Sequence, residues 1–97
     1  MKEITPKEVE SLLKKENIHV IDVRETEEVK AGKIPDAVNI PLGLLEFRMH
    51  ELDKAKEYIM VCRSGGRSFK ASQLLENHGF KVFNMAGGML EWDGPTE

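Results

Sequence analysis

One cysteine in 97 residues means that no disulfide can close within this chain, and nothing in its composition calls for an oxidising compartment. His19, His50 and His78 stand far apart in the sequence, and a single thiol cannot complete a zinc site, so a metal centre is not expected. No apolar run approaches the roughly 20 residues that span a bilayer. The opening Met1-Lys2-Glu3-Ile4-Thr5-Pro6 lacks the apolar stretch of a signal peptide, which makes the cytoplasm the default location. A net charge of −3 argues against a general nucleic-acid binder. No block of like charge suggests a disordered tail, and there is no repeat, linker or low-complexity segment. What is present is ordinary for a soluble globular chain: 40% hydrophobic and 32% charged residues. The expectation is one domain over residues 1–97, able to build a core without staples, with a monomer as the default state.

Hydrophobic periodicity and turn chemistry divide the chain into short alternating elements. Thr5-Pro6-Lys7-Glu8 is a helix start, with Thr5 as cap, Pro6 at the first helical position and Glu8 closing a capping box. Val9, Leu12 and Leu13 follow as one apolar stripe, ending near Lys15. Ile18–Val23 is a β-branched run suited to a strand buried on both faces. Glu25–Lys30 reads as a short acidic helix stopped by Gly32. Ala37–Ile40 reads as a strand between Pro35 and Pro41. Leu42–Leu52 reads as a helix of imperfect period, and Tyr58–Val61 as a third strand. Ser68–His78 is the clearest helix, with Ala71, Leu74 and Leu75 on one face and Gly79 placed for a left-handed cap that brings Phe80 back onto Leu75. Lys81–Met85 is a fourth strand, Gly87-Gly88 a turn and Met89–Trp92 a last short helix. Alternation of this kind predicts an α/β fold, a small, mainly parallel sheet flanked by helices on both faces. Ligands of such sheets bind beyond the carboxyl ends of the strands.

The lone thiol stands at such an end. Cys62 opens the run Cys62-Arg63-Ser64-Gly65-Gly66-Arg67-Ser68, a glycine-rich turn between a strand and a helix. Backbone N–H groups and the positive end of the helix dipole converge there, and two arginines add fixed charge. All three favour the thiolate, the reactive form of cysteine. Gly65 and Gly66 permit the positive φ angles that turn amides inward. Ser68 either caps the helix or donates its hydroxyl to the sulfur, and capping is the expected role. Arg63 is either a solvated side chain or an orienting group for an anion, and Arg67 either orients an anion or holds the loop by a salt bridge. The loop lacks the Lys-Ser/Thr ending of a nucleotide-binding P-loop.

With these residues placed, the chain resembles a single-domain rhodanese, a sulfurtransferase family. The likeness rests on Asp22-Val23-Arg24-Glu25, on Gly32–Pro41, on the loop Cys62–Ser68, and on Gly79-Phe80 with Gly87–Trp92, in that order. Lys33 stands where the family usually has His, a position of mainly structural role, and Val29 where an aromatic residue is common. The resemblance implies a rhodanese-like fold and a thiosulfate sulfurtransferase-type activity. Cys62 takes a sulfane sulfur from thiosulfate or a related persulfide, and a thiol or cyanide acceptor then removes it. In this reading Arg63, Ser64, Gly65, Gly66, Arg67 and Ser68 bind the substrate and no cofactor or metal takes part. The partners are a small-molecule sulfur donor and acceptor, with a protein sulfur acceptor as a further candidate.

Three other classes share the fold. A persulfide carrier uses the same chemistry but hands its sulfur to a protein, and a regulatory module has no turnover. A phosphatase or arsenate reductase of this fold carries five residues between its cysteine and arginine, where this chain has four. The shorter ring suits a single sulfur atom. Asp22 and Arg24, near the site, are expected to form a structural ion pair or backbone hydrogen bonds. Arg48 is expected to be an exposed helical side chain, and Trp92 and the methionines to fill the core.

Overall fold

A computed structural model describes residues 2–15 and 18–97, leaving Met1, Glu16 and Asn17 outside the description. Five strands form one sheet in the order β1-β5-β4-β2-β3, every pairing parallel. They are β1 (Lys2–Ile4), β2 (His19–Asp22), β3 (Val38–Asn39), β4 (Glu57–Val61) and β5 (Lys81–Met85). Four helices connect them: α1 (Pro6–Leu13), α2 (Thr26–Lys30), α3 (Leu42–Arg48) and α4 (Gly66–Asn77). Single 3-10 turns lie at Met49–Glu51 and Gly88–Glu91. Among the described residues, no helix is long and apolar enough to cross a membrane.

The two-residue period of the central strands divides the core in two. From β4, Tyr58, Met60 and Cys62 face one cluster, while Ile59 and Val61 face the other. Leu45, Ala71 and Leu75 of α3 and α4 cover the first side, and Val9 of α1 with Ile34 covers the second. The sheet is therefore buried on both faces, as the continuous apolar run of β2 predicted. Cys62, the first residue past β4, continues the alternation and so points toward α4 rather than away from it.

The expected caps are present. Thr5 Oγ1 accepts from the Glu8 amide at 3.1 Å, and Glu8 Oε1 accepts from the Thr5 amide at 3.0 Å. At the end of α4, Gly79 has φ +88°, and the Phe80 amide donates to the Leu75 carbonyl at 3.0 Å. These are the bonds of a Schellman ending.

Three elements differ from the sequence reading. β1 is additional: three residues with little apolar content form an edge strand because Glu3 and its neighbours find a parallel register on β5. The strand at Ala37–Ile40 shrinks to Val38–Asn39, an edge whose Val38 is half exposed. The helix from Leu42 breaks into a 3-10 turn after Arg48. Its imperfect period has a physical source: Leu44 and Phe47 stand in solvent, Phe47 81% exposed, and only Leu45 is fully buried.

Candidate active site

α4 starts without a side-chain cap. Gly65 takes the capping position at φ +105°, a left-handed conformation open to glycine, and supplies no side-chain capping bond. The first-turn amides of a helix have no intrahelical partner, so here they are free for another acceptor. That acceptor is Cys62. The Gly65 amide donates to Cys62 Sγ at 3.0 Å and the Ser68 hydroxyl lies 3.3 Å from it. Cys62 is buried, yet its ionisation is eased. Burial pushes the thiol up, and this is outweighed by the Ser68 hydroxyl and by the amides of Ser68, Gly65 and Ser64, which bring it below its ordinary value. The expectation that Ser68 serves as a cap is corrected: it sits inside the first turn, fully buried, with its hydroxyl against the sulfur and the Gly65 carbonyl. Hydrogen bonds rather than arginine charge dominate the effect on sulfur. We expect alkylation of Cys62, followed against pH, to show a midpoint below that of a free thiol. A midpoint near the free-thiol value of about 8.5 would show that the loop leaves the sulfur inactive.

The loop rests on the turn that follows β5. The Met89 amide donates to the Cys62 carbonyl at 2.9 Å, and the Leu90 amide to the Arg63 carbonyl at 3.0 Å. Gly88 makes this approach possible. A Cβ at Gly88 would lie 2.5 Å from the Arg63 carbonyl group and 2.6 Å from the Cys62 oxygen, both rigid backbone. Gly87-Gly88 was legible in the sequence as a turn, but its service as the seat of the loop was not.

The two arginines differ. Arg63 is exposed, and its guanidinium makes no ion pair among the described residues, leaving it free to meet an anion. Arg67 is turned to Glu28 of α2 in a two-pronged contact of 2.6 and 2.8 Å. That contact is the loop-holding salt bridge, one of the two roles that the sequence left open. Glu28 escaped sequence reading because it lies 39 residues away. The Arg67 hydrogen bonds, helped by the Glu25 amide, hold the Glu28 carboxyl down at about 2. The sign follows from linkage: a lowered folded value stabilises above the unfolded value, and the gain is lost as pH falls toward 2. The pair is about one-third exposed, so its worth is about 0.2–1 kcal/mol. Glu28→Gln should therefore cost at most about 1 kcal/mol at neutral pH, with the two melting curves converging near pH 2. A constant gap across that range would contradict the assignment.

Ser64 and Gly66 are exposed, completing a rim around the buried sulfur. Asp22 and Arg24 do not join it. Both are buried as an ion pair, Arg24 Nη2 donating to Asp22 Oδ2 at 2.8 Å and to the Gly32 carbonyl at 2.8 Å. Asn39 clamps the same segment by donating to the carbonyls of Asp22 and Arg24. Lys33 ties down the chain end instead: its Nζ donates to Glu97 Oε1 at 2.7 Å, and the two backbones exchange hydrogen bonds. Arg48 pairs with Glu51 on the surface. Among the described residues, no group of His, Cys, Asp and Glu could hold a metal ion.

The chain that carries this sulfur and its donors has known relatives. The chain is 49% identical over 82 residues to "Putative sulfurtransferase YtwF" of Bacillus subtilis, covering 84% of this chain and 80% of that protein. It is 43% identical over 83 residues to "Putative sulfur carrier protein YrkF" of the same organism, matching 84% of this chain but only 45% of that longer protein. The solved structure of a rhodanese-like domain protein from Staphylococcus aureus superposes with a TM-score of 0.94 at 35% identity, covering 100% of this chain and 97% of the other. The family model described as "Rhodanese-like domain" matches residues 5–94, from the cap of α1 to the glycine after Trp92. A match that takes in every helix, four of the five strands and the whole Cys62 loop places this chain in the rhodanese-like domain family.

Proposed function

We propose that the protein is a sulfurtransferase in which Cys62 carries the transferred sulfur. The observation that supports this most directly is a buried thiol with a backbone amide and a hydroxyl within hydrogen-bond distance of Sγ, at the uncapped start of a helix. In the first step the Cys62 thiolate attacks the outer sulfur of an anionic donor, thiosulfate or a persulfide. A new S–S bond forms, the donor's S–S bond breaks, and sulfite or a thiolate leaves with the electron pair. The outer sulfur then carries negative charge over Cys62, where amides from Arg63 to Ser68 can hold it. In the second step an acceptor thiolate or cyanide attacks that sulfur, and the bonding pair returns to Cys62 Sγ. Exposed Arg63 is the group suited to draw in the anionic donor, while Arg67, occupied by Glu28, keeps the loop shape.

The likeness to a protein named as a sulfur carrier supports a second reading, in which the acceptor is a protein thiol. Steady-state kinetics test the covalent route. Double-reciprocal plots at several acceptor concentrations should be parallel, the signature of a ping-pong reaction. Lines that converge would mean that donor and acceptor meet on the enzyme, and the Cys62 intermediate would be wrong. Loading by a persulfide with no turnover on thiosulfate and cyanide would select the carrier. Hydrolysis of a phosphate ester in place of sulfur transfer would favour the phosphatase alternative.

A further inference from the structure

Asn84 is a polar side chain in an apolar place. It is 2% exposed on β5, and its Oδ1 has no hydrogen-bond partner among the described residues. An unsatisfied buried acceptor is destabilising, and leucine at such a position would avoid it. The other end of the amide is fully used. One Nδ2 proton goes to Glu3 Oε2 at 3.2 Å and the other to the Gly65 carbonyl at 3.4 Å. Glu3 is the register partner of Asn84 across β1 and β5. Both neighbours are acceptors, which fixes Nδ2 rather than Oδ1 toward them.

The Gly65 carbonyl is also a competitor for the sulfur. The Ser68 hydroxyl has one proton and two acceptors in reach, Cys62 Sγ at 3.3 Å and Gly65 O at 3.2 Å. Gly65 O already takes the Phe69 amide at 3.0 Å. A carbonyl oxygen has two lone pairs, so a second donor from Asn84 leaves it saturated. The hydroxyl proton is then released to the sulfur.

We propose that Asn84 is a positioning residue for Cys62: held by Glu3, its amide occupies the Gly65 carbonyl and so directs the Ser68 hydroxyl to the sulfur. This rests on the reading of Cys62 as the sulfur-carrying nucleophile. Without Asn84, Ser68 turns to Gly65 O, and the thiolate loses one of its donors.

The test is the pH profile of Cys62 alkylation, read on the whole chain. Asn84→Leu should raise the midpoint by about half a unit to one unit, roughly a 3- to 10-fold loss of thiolate below the midpoint. Ser68→Ala should raise it as well. In a Ser68→Ala background, Asn84→Leu should add nothing, because the two act through one hydroxyl. Val20→Ala, in the opposite core, should lower the melting temperature and leave the midpoint in place. If Asn84→Leu does not fold, Glu3→Ala should give a smaller shift in the same direction. Equal midpoints for the wild type and the Asn84 or Glu3 variant, or additive shifts with Ser68→Ala, would overturn the proposal. Sulfur loading is scored separately on the wild type. Shifts as predicted in a protein that loads no sulfur would keep the Asn84 role and remove the transfer reading, and unchanged midpoints in a protein that loads sulfur would do the reverse.

Discussion

Cys62→Ser should abolish sulfur transfer, with a loss on the order of 10⁴-fold or more, and should leave the fold in place. The serine oxygen stays protonated near neutrality and cannot form a persulfide, so no slower version of the same route survives. The fold should persist because the side chain changes by one atom and remains within hydrogen-bond distance of the Gly65 amide, which stands 3.0 Å from Sγ in the parent. Its neighbours on that side of the sheet, Met60, Ala71 and Leu75, keep their contacts with one another. Thiocyanate release would measure the first expectation and thermal unfolding the second. Transfer retained at even a tenth of the parent rate would move the chemistry away from Cys62.

Arg24→Met should be the most damaging change for stability outside the core. Arg24 and Asp22 are 7% and 0% exposed, and three side-chain contacts of 2.8 to 3.1 Å join them. Removing one partner strands the other charge away from water, which costs about 3–5 kcal/mol. Domains of this kind have only about 5–15 kcal/mol in total. The same change frees the Gly32 carbonyl, which loosens the turn between α2 and β3. Denaturant unfolding would give the difference from the midpoints at constant slope. A cost below about 1 kcal/mol would show that water reaches the pair.

How much of this was readable in the sequence depends on the range of each interaction. Caps and turns are local, so Thr5 with Glu8, and Gly79 and Phe80 with Leu75, could be placed from residues no more than five apart. The position of Cys62 followed from the same kind of reading, a strand run, two glycines and a helix pattern in succession. Contacts between distant segments left no such trace. Glu28 meets Arg67, Gly88 meets the Cys62 and Arg63 carbonyls, and Asn84 meets Gly65, in each case across the sheet or between connections. β1 was missed for a related reason: Lys2-Glu3-Ile4 has almost no apolar signal, and its pairing comes wholly from β5. Ser68 was misassigned because the sequence shows a hydroxyl in a first helical turn but not that the turn wraps around a sulfur. The sequence could not rank arginine charge against hydrogen bonds at the thiolate, since the partner that occupies Arg67 lies 39 residues earlier.

Intact mass is the most direct test of the central claim. The protein, reduced and then incubated with thiosulfate, and separately with glutathione persulfide, should gain one sulfur atom with at least one of these donors, located by peptide mapping on Cys62. Cyanide should remove that atom and release it as thiocyanate. No gain of mass with either donor, or a sulfur found on any other residue, would contradict the account.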